Sequence, residues 1–274
     1  MLSACSLEFG GALAKTLFAT LGPAGTLMLR VGLAAIALLL LWRPSLRHVT
    51  RSRVGVILLF GLSLAAMNLT FYLAVSRVPF GVAVTIELLG PLCVAALGTR
   101  RLRDLLWVLL AAVGVAAFAP LGTPKSATAI DPLGIALSML SGVFTALYIL
   151  MSARTGRAFA DGVGLALAMA VAAIVLLPLG VATVGPVLVR HPRVLVVGAG
   201  VALLSSVVPY SLEIAALRRM PARVFGVLVS LEPALAALAG WLVLHERLGV
   251  RSLVAIALVT AASMGAAHSC RSGR

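Results

Sequence analysis

The chain has 274 residues, 62% of them hydrophobic and only 11% charged, with a mean hydropathy of +1.14. That leaves too little polar surface to cover a soluble globule, so the composition predicts an all-α integral membrane protein that crosses the bilayer many times. A formal net charge of +14 would suggest nucleic acid in a soluble chain, but here the basic residues sit in short segments between apolar runs. No basic face interleaved with aromatics is present, and nucleic-acid binding is set aside.

Cys5, Cys93 and Cys270 form no CxxC pair and leave an odd count, so neither a disulfide framework nor a metal site is expected. His48, His191, His245 and His268 are scattered over loops and the tail. No metal and no cofactor is predicted.

The first predicted helix covers residues 2–21. It lacks a basic n-region and a small-residue cleavage site, so it is not read as a signal peptide. Glu8, Ala12 and Lys15 share one helical face. That face is either a frayed amphipathic end or part of a membrane helix that turns two ionisable groups toward the protein interior. A second helix over 24–42 closes on Trp42 as an interfacial anchor. Arg30 lies about two turns inside it, where snorkelling toward the interface is the favoured reading.

Apolar runs follow at 54–75, 80–99 and 105–121. The interval from Pro120 to Asp131, PLGTPKSATAID, is the longest polar, turn-rich stretch and the natural seam. The expected organisation is a first repeat at 1–121, a polar linker at 122–131 and a second repeat at 132–274. Five more runs, at 132–152, 162–185, 194–216, 221–244 and 249–268, bring the total to about ten helices.

Basic residues orient such a chain. The segments after helices 2, 4, 6 and 8 and the tail hold Arg43, Arg47, Arg51, Arg53, Arg100, Arg101, Arg103, Arg154, Arg157, Arg218, Arg219, Arg223, Arg271 and Arg274, fourteen in all. The opposite segments hold six, Arg77, Lys125, Arg190, Arg193, Arg247 and Arg251, which predicts cytoplasmic termini.

The halves are related. Adding 142 carries Arg77 onto Arg219, Pro79 onto Pro221, Val82 onto Val224, Leu89 onto Leu231, Pro91 onto Pro233, Ala95 onto Ala237 and Gly98 onto Gly240, and it carries Asp104 onto Glu246. Matches among Ala, Val and Leu are cheap in this composition, but two prolines, an arginine and a glycine in one ungapped register are not. A shift of five helices is odd, so matched segments cross in opposite directions. The prediction is two inverted five-helix repeats, an arrangement secondary transporters use to alternate access to a central site.

Polar residues inside these runs are the candidates for function. A carboxylate at the centre of a membrane helix costs roughly 2.5–3.5 kcal/mol, about what six to eight Leu or Val residues return. Glu87 precedes Pro91 by four residues, so the proline leaves the carbonyl of residue 87 without its helical donor beside a carboxylate. Glu232 directly precedes Pro233, with Gly226, Ser230 and Ala234 as a small-residue stripe that permits close packing. These acids are either a transport site or a structural pair with a buried base or hydroxyl. Glu213 lies five residues before Arg218, so an interfacial salt bridge competes with substrate contact. Asn68 and Tyr72 are four apart in helix 3, Tyr148 is in helix 6 and Tyr210 in helix 8. Single tyrosines are more often belt residues, whereas Asn68 is deep enough to need a partner. Its glycosylation sequon, Asn68-Leu69-Thr70, is discarded because it lies inside an apolar run.

The segments GGALAKTLF (10–18), LRVGLAAIALLL (29–40), MNLTFYLAVSRVPFGVAVTIELLGPL (67–92), PYSLEIAALRRMPARVFGVLVSLEPALAALAG (209–240) and AASMGA (261–266) resemble the EamA-type drug/metabolite transporter superfamily, and within it the threonine/homoserine exporter branch. The similarity runs over essentially the whole chain. It implies ten helices in two five-helix repeats, a bacterial inner membrane, export of small amino acids, and motif positions for Glu87 and Glu232. Proteins of this kind have a longer N-terminus ahead of the position matching Leu2. Either this chain starts further upstream or its first helix is short.

The function expected is secondary-active export of a small neutral amino acid. A zwitterion needs an acid for its ammonium and a cation or helix N-terminus for its carboxylate; Glu87, Glu232 and Lys15 are the candidates. No GxxxxGK[ST] motif is present, so an ion gradient is expected to drive transport, with protons as the predicted ion. A permease for another class, such as a cation, purine or drug, is the alternative. An intramembrane enzyme or signalling subunit is disfavoured: there is no GxSxG, no HExxH and no His-Asp pair at membrane depth. The partners expected are the substrate and membrane lipid, with homodimerisation left open.

Overall fold

A computed structural model of the chain describes residues 2–44, 51–97, 102–116, 131–159, 162–219 and 230–269. All regular structure in them is helical: α1 (Leu2–Thr16), α2 (Phe18–Trp42), α3 (Arg51–Val75), α4 (Phe80–Glu87), α5 (Leu89–Leu97), α6 (Leu102–Ala116), α7 (Pro132–Ala158), α8 (Val163–Arg190), α9 (Arg193–Ala202), α10 (Val208–Arg219), α11 (Glu232–Leu244) and α12 (Val250–Ser269). A π-helical turn, Leu203–Val207, joins α9 to α10 in one rod.

Five of these helices are long and apolar enough to span a membrane, namely Phe18–Trp42, Arg53–Val75, Pro132–Gly156, Val163–Val181 and Arg193–Glu213. Phe80–Val94, Glu232–Leu244 and Val250–Gly265 are shorter apolar helices. The protein is therefore an all-α, multi-pass membrane protein. Its lipid-facing surface is built accordingly: Leu40, Ile174 and Val196 are each at least two-thirds exposed, at 69%, 69% and 74%.

Local chemistry explains where the helices bend. In α2, Gly22 takes φ 66, a left-handed conformation that favours glycine, directly before Pro23. The Gly22 carbonyl then accepts from Thr26 Oγ1 at 2.8 Å. In the α9–α10 rod the π turn offers the Leu204 carbonyl to Ser6 Oγ of α1, at 2.6 Å. Asp131 caps α7 by accepting from the Leu133 N–H at 2.9 Å, and it pairs with Arg77 at 3.0 Å. The Arg77 hydrogen bond first, and that N–H second, hold its carboxyl below the usual aspartate range. The seam at 117–130 lies outside the described residues.

One core cluster joins α2, α3 and α8 through Leu27, Leu38, Phe60, Leu64, Met169 and Leu176. A second joins α1, α4, α11 and α12 through Ala12, Phe80, Ile86, Ala236 and Ala255. Because lipid tails are as apolar as these side chains, close approach of small residues decides which helices meet. The Gly10-Gly11 pair does this twice over. A Cβ on Gly10 would lie 2.7 Å from Ser205 N and 2.8 Å from the Leu204 carbonyl carbon, and one on Gly11 would lie 2.7 Å from the Phe80 ring. So α1 runs antiparallel against the π turn, with Ser3 Oγ reaching the Pro209 carbonyl at 3.2 Å.

Gly10→Ala places its methyl against backbone that cannot move aside. We expect it to lower stability by about 1–3 kcal/mol, as overpacking does. Gly32→Ala, where nothing lies within 4 Å, is the control and should leave stability nearly unchanged. Thermal unfolding of the two variants in detergent, compared with wild type, checks this.

Candidate functional site

Helix 4 of the sequence reading is two short helices. Pro91 removes the N–H that would bond the Glu87 carbonyl, and the chain breaks at Leu88, between α4 and α5. The break is held against α7 by two glycines: a Cβ on Gly142 would meet the Glu87 carbonyl oxygen at 2.9 Å, and one on Gly90 would strike the Gly142 carbonyl. Glu87 thus sits at the end of α4 with its side chain on α7. Its Oε1 accepts from Ser141 Oγ at 2.6 Å and Thr145 Oγ1 at 2.8 Å, while Oε2 accepts no hydrogen bond among the described residues.

Glu232 opens α11, with Pro233 just inside the first turn. A carboxylate there is favoured by the unpaired N–H groups and positive end of the helix dipole. Glu8, 3% exposed on α1, and Glu213 on α10, which accepts from Ser3 Oγ at 3.4 Å, complete a set of four acids.

All four line one cavity of about 240 Å³, whose other lining residues come from α2, α3, α5 and α7 as well as α1, α4, α10 and α11. That is smaller than the roughly 300–1,000 Å³ of pockets for drug-sized ligands. The three tyrosines of the chain, Tyr72, Tyr148 and Tyr210, all lie in its wall rather than in an interfacial belt. Tyr148 meets Tyr210 at 6.4 Å between ring centroids, and Phe71 meets Phe80 edge-on at 6.0 Å. Pro91 and Thr145 also line it.

Arg30 is the cation of this cavity. It does not snorkel: its exposure is 6%, its Nη2 donates to Asn68 Oδ1, and its guanidinium carbon lies 4.9 Å from the Tyr72 ring centroid. Asn68 is oriented by its own Nδ2, which donates to the Leu64 carbonyl at 2.8 Å. The partner expected for Asn68 is therefore an arginine one helix away.

Lys15 stands elsewhere. Its Nζ pairs with Glu246 Oε1 at 2.7 Å and donates to the Val78 carbonyl at 3.2 Å, while Glu246 Oε2 accepts from the Phe80 N–H at 2.8 Å. This cluster ties the end of α1 to the start of α4 and the end of α11, outside the cavity lining. Ser230 is buried at 3% exposure and Pro233 is buried as well, neither of them in the lining. Gly226 and the Arg218 side chain lie outside the described residues.

Sequence reasoning missed Ser141 and Thr145 as the hydroxyls that hold Glu87. The signal was present as the small and hydroxyl stripe Gly134, Ser138, Ser141, Thr145 along α7. Nothing in the sequence distinguished Arg30 from a snorkelling residue.

Helices broken around a cavity lined by acids and a guanidinium inside a multi-pass bundle define a membrane transporter rather than an enzyme or a simple anchor. Comparison with known proteins agrees. Residues 132–267 match the EamA-like transporter family. Curated relatives called threonine/homoserine exporter RhtA, from Salmonella typhimurium (strain LT2) and Escherichia coli (strain K12), are each 39% identical over 272 residues, covering 99% of this chain and 90% of theirs. The chain belongs to the EamA-like transporter family.

Asn68→Leu would leave Arg30 Nη2 buried without its acceptor. Such a loss at a charged group should cost about 1.5–3 kcal/mol, read as a lowered unfolding midpoint in detergent.

Proposed function

We propose that the chain is a secondary-active exporter of small neutral amino acids, threonine- or homoserine-like, in a bacterial inner membrane and coupled to protons. The observation that carries this is the cavity itself: four carboxyl groups and one guanidinium around about 240 Å³ of space. The acids suit an ammonium group. The volume suits an amino acid better than the larger ligands of a multidrug permease, which is the second reading. The relatives' names as threonine/homoserine exporters point the same way.

Ten membrane crossings in two inverted repeats, at 1–121 and 132–274 around a linker, underlie the transport cycle we infer. Support comes from helix ends separated by 142 residues: α1 ends at Thr16 and α7 at Ala158, and α3 begins at Arg51 and α9 at Arg193. Packing follows the same exchange. α2 lies on α8, α6 on α12 and α4 on α11, while α1 on α9–α10 has its counterpart in α7 on α3. Repeats of five crossings run in opposite directions, so exchanging their conformations would open the cavity to alternate sides. The fourteen-to-six distribution of basic residues supports cytoplasmic termini.

In the mechanism, the carboxyl groups can be neutralised by a substrate ammonium or by protons, and the two compete. Glu87 is held by Ser141 and Thr145 through one oxygen, leaving the other for either partner. Glu232 takes part from α11, across the cavity wall. Export then exchanges an outgoing ammonium for incoming protons.

Reconstituted protein tests the coupling. Glu87→Gln and Glu232→Gln should each reduce efflux driven by a pH gradient at least tenfold, while at least one of them retains counterflow of labelled against unlabelled threonine. Unchanged pH-driven efflux in both variants overturns the proton role. Tolerance to unrelated toxicants without saturable amino-acid efflux would favour the multidrug reading.

A further inference from the structure

The polar groups of the cavity are unevenly spent. Glu8 and Glu232 accept no hydrogen bond among the described residues, and Glu87 uses one oxygen of two. These acids are acceptors without donors. At Arg30 the imbalance reverses. Nη2 is bonded to Asn68, but Nε is buried without a partner. Beside it the Tyr72 hydroxyl, on a residue only 2% exposed, has no acceptor for its own O–H: the group close enough to bond it is the Arg30 guanidinium, which can only donate. Arg30 forms no ion pair with a carboxylate among the described residues, although four acids share its cavity. A buried guanidinium and a buried phenol, stacked 4.9 Å apart and short of acceptors, are costly unless something supplies those acceptors.

We propose that the Arg30–Tyr72 corner is the carboxylate subsite of the transporter. A planar carboxylate matches the guanidinium edge and can accept from the phenol at the same time. Asn68 is the positioning residue: it fixes Nη2 and leaves the rest of the guanidinium for the ligand. The acids without donors take the ammonium, so the cavity selects molecules that carry a carboxylate and an ammonium close together. Amines, amides and organic cations of the same size lose the Arg30–Tyr72 half of the interaction. The subsite replaces Lys15 as the cation for the substrate carboxylate, because Lys15 is bound to Glu246 outside the lining. This assignment rests on the amino-acid export proposed above.

The test is uptake of labelled threonine into proteoliposomes by counterflow, in competition with unlabelled threonine, threonine amide and 1-amino-2-propanol, its decarboxylated form. Wild type should be inhibited by threonine at concentrations at least about tenfold lower than by the other two, the loss expected for a hydrogen bond to a charged group. Tyr72→Phe, which keeps the ring on Arg30, should raise the KM for threonine several-fold with little change in kcat and should narrow the preference over the amide. Arg30→Lys should abolish that preference. Equal inhibition of wild type by all three compounds overturns the subsite while leaving export intact, as does an unchanged KM in Tyr72→Phe. If wild type moves no labelled threonine or homoserine, the export proposal fails. Thermal stabilisation of the detergent-purified protein by amino acids against their amides then decides the subsite separately: stabilisation by the acids alone, lost in Tyr72→Phe, supports it, and equal or no stabilisation by both overturns it.

Discussion

Breaking a helix inside hydrocarbon leaves backbone groups that no water can satisfy, and the rest of this structure depends on how that problem is met. At Leu88 the interruption is tolerated because α7 presents glycine at Gly142, so its backbone closes on the Glu87 carbonyl and on Gly90. The same contact delivers Ser141 and Thr145 to the Glu87 side chain. Backbone break, small-residue contact and held carboxylate are one arrangement. Adding a side chain at Gly142 would disturb all three.

The start of α11 holds its acid by a different route. Pro233 sits where a proline is tolerated, inside the first turn of α11, and Glu232 occupies the turn where the helix dipole favours an acid. The two acids are therefore held by unlike means, hydroxyl donors for one and a helix start for the other. Outside the cavity lining, the Lys15–Glu246 pair joins three elements and caps the entry to α4, so the helices are anchored at a point apart from the four acids.

Much of the fold was readable from local chemistry. Runs of apolar residues delimit helices because a bilayer demands a minimum length, and Gly22-Pro23 and Pro91 mark bends and Pro233 a helix start, because proline lacks a donor and glycine tolerates unusual φ. The carboxylates stood out because their cost in oil is large whatever surrounds them. For the same reason Glu87, Glu232 and Asn68 could be singled out, and all three line the cavity.

What the sequence determined by itself is thus the helices, their bends and the acids that need a reason to be there. Only the tertiary structure decided which face of each helix turns inward. In a soluble protein the hydrophobic stripe would answer that question, but lipid and protein interior are equally apolar, so exposed Ile36 and Leu40 look no different in sequence from buried Leu27 and Leu38. That is why Arg30 read as a snorkelling residue, the candidate tyrosines could not be told from belt residues and Lys15 read as a substrate cation. Their roles follow from helix rotation and from pairs such as Arg30 with Asn68 and Lys15 with Glu246, which lie 38 and 231 residues apart and exist only once the bundle has closed.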